Sequence, residues 1–161
     1  MNRVVPTSDA MEKLGAALGA VASAGDVIVL TGELGAGKTT FARGFGEALG
    51  LSTAVSSPTF VVAREHASVS GSPPLVHVDA YRLSTAVELE DLDIDVENSI
   101  VLAEWARPFA SVLSSSWLDI EIERPVGSDG GDIDSDQPRS VTISVHGDDD
   151  RYAKYLTAAS S

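Results

Sequence analysis

The sequence contains no cysteine among its 161 residues, which excludes a disulfide framework, thiolate metal ligands and a cysteine nucleophile. Basic residues are also few, with 11 Lys and Arg against 24 Asp and Glu and a formal net charge of −13. Nucleic acids and anionic membranes are both bound through basic protein surfaces. We therefore expect no strong direct nucleic-acid binding and no attraction to an anionic membrane. No apolar run approaches the roughly 18 residues of a membrane-spanning helix, and we see no secretion signal, so we expect a cytoplasmic protein.

Short apolar runs alternate with helix-like stretches over a length that suits a single domain, residues 1–161. This alternation predicts an α/β fold with a mostly parallel central sheet flanked by helices. Strands are predicted at Val4–Val5, Val27–Leu30, Phe60–Arg64, Leu75–Asp79 and Ile100–Ala103. Helices are predicted from a cap at Thr7, Ser8 or Asp9 to Gly25, over Lys38–Leu49, as short turns within Val87–Asn98, and from about Asp149 onward.

The last third of the chain has a different character. Trp117–Glu123 and Ser140–Val145 each alternate apolar with polar residues, which predicts antiparallel strands with one face in solvent. Between them, about residues 126–138 are rich in Asp, Gly and Ser, which is typical of a flexible acidic loop and not of a second domain. The final helix is expected to pack Tyr152 and Tyr155 onto the sheet.

The most specific feature is the segment Gly32–Thr39, GELGAGKT, which fits G-x-x-x-x-G-K-[ST] between a predicted strand and a predicted helix. Its glycines let backbone N–H groups curl around a phosphate, and the following helix directs its positive end at the same anion. Lys38 then supplies a cation for the β- and γ-phosphate oxygens, and the Thr39 hydroxyl a magnesium ligand. The motif predicts a P-loop NTPase-like fold that binds ATP and Mg²⁺, the alternative being a plain glycine-rich turn. We expect Glu33 to point outward.

Two acidic residues stand at the ends of predicted strands: Asp79 closes Leu75–Asp79, and Glu104 directly follows Ile100–Ala103. The carboxyl ends of parallel strands meet at one edge of a sheet, so both side chains are expected beside the P-loop. One carboxylate would then hold the magnesium shell while the other polarises the attacking water. The alternative for either residue is a strand-end acid in solvent.

Three further features have both a functional and a structural interpretation. Ser57-Pro58-Thr59 is either a switch-like loop that senses the γ-phosphate or an ordinary turn. Arg82 would pair with phosphate or with Asp79. Six acids between Glu88 and Glu97 form either a solvated face or a docking surface for a basic partner. The three histidines have no metal-ligand spacing and are expected in the core or on the surface.

Four motifs in this order resemble the TsaE (YjeE) family, bacterial ATPases of the tRNA threonylcarbamoyladenosine modification system. They are Gly32–Phe41, Ser57–Phe60, His77–Leu83 and Glu104-Trp105. The resemblance implies a magnesium-dependent ATPase that is slow alone and is stimulated by partner proteins. It further implies that the protein acts with TsaB and TsaD to assemble or reset the complex that modifies adenosine 37 of tRNA.

The resemblance also assigns roles to individual residues. Lys38, Asp79 and Glu104 take catalytic roles, and Thr39, Asp79 and Glu104 bind magnesium. The residues it assigns to the nucleotide are Glu33, Leu34, Gly35, Ala36, Gly37, Lys38, Thr39, Thr40 and Thr59. Trp105 is placed near the nucleotide or a partner.

Two other functions are weighed against this one. A small-molecule kinase would need an acceptor pocket and an arginine-rich lid, yet only Arg82 lies among the acids between Asp79 and Glu104. A non-catalytic nucleotide sensor is disfavoured because Lys38, Thr39, Asp79 and Glu104 are all present.

Overall fold

The computed structural model describes residues 1–58, 60–124, 137–147 and 150–161, and within them seven strands form one sheet in the order β1-β7-β6-β2-β5-β4-β3. The strands are β1 Asn2–Val5, β2 Val27–Thr31, β3 Ala63–His66, β4 Leu75–Asp79, β5 Ile100–Glu104, β6 Trp117–Glu123 and β7 Arg139–His146. The central strands β6, β2, β5 and β4 run parallel. The outer strands β1, β7 and β3 each run antiparallel to their neighbours.

The predicted α/β class is therefore confirmed, although the parallel part is limited to the centre of the sheet. β6 pairs antiparallel with β7, as predicted, but its other neighbour is β2, to which it is parallel. Its polar face is in solvent only in part: Glu121 is half-buried and Glu123 is exposed, whereas Asp119 is buried against the Arg107 guanidinium at 2.9 Å.

Two predicted element bounds were wrong for local reasons. The strand expected at Phe60–Arg64 begins only at Ala63, because the amides of Val61 and Val62 both donate to the Pro58 carbonyl and form a turn. The first helix ends at Gly19 and not at Gly25. Gly25 adopts φ +88° in the turn before β2, where its amide donates to the Ser99 carbonyl at 2.9 Å.

The helices are α1 Ser8–Gly19, α2 Lys38–Ala48, α3 Ala86–Glu90, α4 Ala110–Leu113 and α5 Ala153–Ser160. Thr7 caps α1 by accepting the Ala10 amide at 3.1 Å. α1 and α2 pack backbone to backbone: a Cβ on Gly44 would lie 2.0 Å from the Glu12 carbonyl oxygen. This close crossing fixes α2, and with it the loop that leads into the helix.

The two faces of the sheet carry separate apolar clusters, because successive strand residues point to opposite sides. Ile28, Leu30 and Leu102 pack with α1, α2 and α5. Val29 and Val101 pack with α3 and α4 on the other face. Asp79 and Glu104 share the strand phase of Leu102, so their side chains lie on the face that carries α2.

The C-terminal helix confirms the prediction that its tyrosines pack on the sheet. Tyr152 and Tyr155 are fully buried. The Tyr155 hydroxyl donates to Asp26 Oδ2 at 2.7 Å, and the Tyr152 hydroxyl accepts the Val27 amide at 2.9 Å, so both side chains attach α5 to the start of β2. Burial and the neighbouring Asp26 carboxylate raise the pKa of Tyr155.

Three predictions lie wholly or partly outside the described residues. These are the role of Thr59, the acidic loop of about residues 126–138 apart from its last two residues, and the start of the last helix at Asp149. Across the described residues, we find no helix with the length and hydropathy needed to span a membrane.

Candidate functional site

A cavity of about 650 Å³ opens at the carboxyl ends of β2, β4 and β5. Its walls are the glycine-rich loop (residues 32–37), the first turn of α2, the ends of β4 and β5, and one side chain from β7. The lining residues are Ser8, Glu33, Leu34, Gly35, Gly37, Lys38, Thr39, Thr40, Ser57, Asp79, Tyr81, Glu104, Trp105 and Arg139. Most residues predicted from the sequence to form a site therefore lie around one cavity.

The glycine-rich loop brings the start of α2 to the cavity without covering it. Gly37, directly before the helix, has φ +114°, a conformation that other residues rarely adopt. Unlike α1, α2 has no side-chain cap and no acidic residue in its first turn. The N–H groups of this turn and the positive end of the helix dipole are thus directed at the cavity, as in an anion-binding site.

Lys38 lies at the base of this loop with its side chain buried. Its Nζ donates to the carbonyl oxygens of Gly32 at 2.7 Å and Glu33 at 3.0 Å. Burial lowers the pKa of Lys38, while the carboxylates of Glu104 and Asp79 act in the opposite direction. The ammonium group therefore lies in the field of both acidic residues that the sequence predicted for the site.

Asp79 and Glu104 are paired in register across β4 and β5, and both are buried. Asp79 Oδ1 accepts the Tyr81 amide at 3.0 Å. Glu104 Oε1 lies 2.8 Å from His77 Nε2. Neither residue is a strand-end acid in open solvent, and both carboxylates line the cavity.

Trp105 and Tyr81 form an aromatic wall on one side of the cavity. The two rings meet edge to face with centroids 5.2 Å apart, and Lys38 Nζ lies 4.4 Å from the Trp105 ring centroid. Trp105 has φ +61°, which is unusual for a bulky residue, and its amide donates to the Leu30 carbonyl at 3.0 Å. The chain thus turns sharply after Glu104 and places the indole beside the lysine.

The remaining predicted residues occupy different positions. Glu33 is exposed at the cavity mouth, as expected. The Ala36 side chain is instead buried in the core, so Ala36 can contribute to the glycine-rich loop only through its backbone. Ser57 lines the cavity, and its neighbour Thr59 is outside the described residues. Arg82 stacks over Phe60, its Cζ 5.0 Å from the ring centroid.

The acidic segment Glu88–Glu97 has local structural roles. Glu88 forms a capping box with Thr85 at the start of α3, and its Oε2 accepts the Ser84 and Thr85 amides at 2.7 and 2.9 Å. These hydrogen bonds lower the pKa of Glu88. Asp95 likewise accepts the Asn98 side-chain amide at 2.9 Å. At least two of the six acids therefore shape the turns of their own segment.

Two residues at the site were missed from the sequence. His77 was expected to be structural, yet it contacts Glu104; its position two residues before Asp79, on the same strand face, is the signal that would have identified it. Arg139 of β7 donates from Nε to the Ala36 carbonyl at 3.2 Å. No local pattern places Arg139 here, because β7 reaches the loop only through the order of strands in the sheet.

The fold and the site define an α/β protein built on a strand–glycine-rich loop–helix unit that faces two buried strand-end carboxylates. The chain belongs to the TsaE family: the family model described as threonylcarbamoyl adenosine biosynthesis protein TsaE matches residues 5–129. This confirms the resemblance seen in the four sequence motifs.

Individual relatives agree with this assignment. The chain is 48% identical over 141 residues to the tRNA threonylcarbamoyladenosine biosynthesis protein TsaE of Streptomyces coelicolor, covering 86% of this chain and 92% of the relative. The protein of the same name from Mycobacterium tuberculosis is 45% identical over 125 residues, 72% of this chain and 74% of that one. The crystal structure of Bacillus subtilis YdiB superposes with a TM-score of 0.74 at 30% identity, over 99% of this chain and 93% of YdiB.

Proposed function

We propose that the protein binds ATP with Mg²⁺ in the cavity beside the glycine-rich loop and hydrolyses it slowly, as an accessory ATPase of tRNA threonylcarbamoyladenosine biosynthesis. One observation carries the proposal: the uncapped start of α2, the Lys38 ammonium and the carboxylates of Asp79 and Glu104 all open on the same cavity. This combination of an anion-binding helix start, a buried cation and paired carboxylates suits a nucleoside triphosphate and its metal ion.

The phosphate chain would lie against the backbone N–H groups of residues 35–40, which include Thr40. Lys38 would exchange its hydrogen bonds to the Gly32 and Glu33 carbonyls for phosphate oxygens. That exchange is favourable because the ammonium group is attracted more strongly to a negatively charged phosphate oxygen than to a neutral carbonyl oxygen. Trp105, stacked beside Lys38, would border the bound nucleotide.

The donor set at the cavity fits magnesium. Thr39, Asp79 and Glu104 offer hard oxygen ligands on one side of it. Among the described residues there is no group of three or more His, Cys, Asp or Glu that would hold a metal alone. This suits Mg²⁺, which takes one or two carboxylates and completes its shell with phosphate and water. When bound, the ion would neutralise charge on the phosphate oxygens, while Glu104 orients the attacking water.

The nucleotide cycle would act on partner proteins, for which we propose TsaB and TsaD in the cytoplasm. Large apolar side chains stand exposed at the cavity or close to it: Leu34 (85%) and Tyr81 (66%) line it, and Phe60 (87%) packs against Arg82, the neighbour of Tyr81. Exposed apolar groups at a polar cleft are typical of a surface that is covered by another protein. Thr59, adjacent to Phe60, is proposed to sense the γ-phosphate within the same segment. The charge of −13 does not suit direct binding of tRNA.

The proposal is tested by nucleotide binding and hydrolysis in two variants. Lys38→Ala should abolish ATP binding or turnover, because it removes the cation in the loop. Glu104→Ala should keep much of the binding and lose hydrolysis, with a rate reduction of about 100-fold or more. Lys13→Ala, which removes an exposed lysine from α1, is the matched control and should behave as the unaltered protein.

Three results would change the assignment. Normal hydrolysis by Glu104→Ala would transfer the role of Glu104 to Asp79. A phosphorylated small molecule among the products would favour the kinase alternative, for which Arg139 supplies a cation at the cavity. Normal ATP binding by Lys38→Ala would contradict the site itself.

A further inference from the structure

His77 lies in the middle of β4, fully buried, on the sheet face that carries Asp79 and Glu104. Its Nε2 is 2.8 Å from Glu104 Oε1, and the two side chains come from adjacent parallel strands. We propose that His77 is a positioning residue, which donates its Nε2–H to Glu104 and fixes the carboxylate in the orientation that ATP hydrolysis needs. The inference rests on the proposed function.

The surroundings of the imidazole select the tautomer that does this. Nδ1 is buried and has no hydrogen-bond partner within the described residues. A proton on Nδ1 would leave a buried donor unsatisfied and would turn the Nε2 lone pair toward a carboxylate oxygen. A proton on Nε2 avoids both costs, and it leaves at Nδ1 only an unused acceptor. The geometry therefore assigns the donor to Nε2.

The contact has a consequence for Glu104. Burial deprives the Glu104 carboxylate of hydrogen bonds that water would otherwise give it, which costs free energy. A hydrogen bond at Oε1 offsets part of this cost and stops rotation of the carboxylate, so that Oε2 remains available to the cavity. Partners of this kind orient the ligands of many metal sites, and their loss reduces activity while the ligand itself remains.

A second buried histidine provides the control. His66 on β3 is also buried, on the strand that neighbours β4, but its Nδ1 contacts Thr53 Oγ1 at 2.9 Å. Neither histidine lines the cavity itself, but His77 contacts the lining residue Glu104. A general effect of removing a buried imidazole would therefore be seen at His66 as well, whereas a positioning effect on Glu104 is confined to His77.

The test compares two amides at position 77. In His77→Gln the side-chain N–H reaches about as far as Nε2, whereas in His77→Asn it reaches only about as far as Nδ1. Single-turnover ATP hydrolysis and ATP affinity are measured for both variants and for His66→Gln. We expect His77→Asn to lower the hydrolysis rate about 10- to 100-fold with little change in ATP affinity, and His77→Gln to restore most of the rate.

Equal rates for the Gln and Asn variants, or an equal loss in His66→Gln, would overturn the positioning role. A second measurement does not depend on hydrolysis: long-range ¹H–¹⁵N spectra of the unaltered protein report the imidazole tautomer. We expect the proton of His77 on Nε2, with a shift that changes in Glu104→Gln; a proton on Nδ1 would overturn the proposal. A protein that shows the Nε2 tautomer and binds ATP without hydrolysing it would instead overturn the proposed ATPase function.

Discussion

Lys38 carries a charge at a position where burial acts against it, and its surroundings show how the site tolerates this. Two carbonyl oxygens accept hydrogen bonds from its ammonium group, the Trp105 ring centroid lies 4.4 Å from Nζ, and two carboxylates stabilise the ammonium form. Each of these groups is fixed by backbone geometry, through the glycine-rich loop, the positive φ of Trp105 and the register of Asp79 with Glu104. The lysine is thus held in place before any ligand arrives.

The indole beside Lys38 offers a direct optical test at the residue scale. If Lys38 moves onto phosphate, the surroundings of the Trp105 ring change, so ATP with Mg²⁺ should alter tryptophan fluorescence. The chain has only one other tryptophan, Trp117, which stacks on His146 with centroids 4.9 Å apart. We expect Trp117→Phe to keep the ATP-induced change and Trp105→Phe to lose it; the reverse would place the nucleotide elsewhere.

The buried His66 predicts how stability depends on pH. Burial lowers its pKa below the usual 6.5, with smaller contributions from His77 and Arg64. As the pH falls below about 6.5, the unfolded chain takes up a proton at His66 that the folded protein does not, so the free energy of unfolding decreases. Well above that pH neither state binds this proton, and His66 no longer makes the stability depend on pH. Denaturant unfolding between about pH 7.5 and 5.5 should therefore show a shallower loss of stability in His66→Gln. An equally steep loss would contradict this.

At the scale of elements, the crossing of α1 and α2 determines where the glycine-rich loop lies. Gly44 contacts the backbone of α1 so closely that a methyl group has no space. Gly44→Ala should therefore destabilise the protein by about 1–3 kcal/mol, although alanine ordinarily stabilises a helix interior relative to glycine. By displacing the start of α2, it should also weaken ATP binding.

Thermal unfolding and ATP titration check this expectation. Arg43→Ala, at the exposed neighbouring position of α2, is the control and should change stability by less than about 0.5 kcal/mol. A Gly44→Ala protein more stable than the original would show that the helices separate without cost.

Strands and helices were predicted well wherever the buried apolar residues recur with the period of a strand or a helix. The strand phase of β4 and β5 was sufficient to place Asp79 and Glu104 together, because parallel neighbours keep their register. The insertion of β6 beside β2 was not predictable, since alternation in a sequence does not reveal which strand lies next to it. The turn at Pro58 that delays β3, and the arrival of Arg139 at the loop, likewise depend on tertiary contacts.

For the whole molecule, the charge of −13 and the apolar rim of the cavity have different consequences. The excess of acids leads us to expect no strong binding to a nucleic-acid backbone, and some of the acids act locally as caps, as Glu88 does for α3. Leu34 and Tyr81 instead lie exposed at the cavity, with Phe60 exposed against Arg82 next to Tyr81, where a bound nucleotide would be accessible to another protein. A partner that covers this rim would exclude water from the site and strengthen its electrostatic interactions. The isolated protein is therefore expected to be a slow ATPase.

The most direct measurement of the proposed function is the ATP hydrolysis rate with and without the TsaB–TsaD pair, with Lys38→Ala as the blank. We expect slow turnover alone and a rise of about tenfold or more on adding the pair, because the partner completes a site that is open in isolation. The hydrolysis rate should not rise when the same TsaB–TsaD pair is added to Lys38→Ala. Fast hydrolysis by the isolated protein that the pair leaves unchanged would contradict its role as a partner-dependent ATPase.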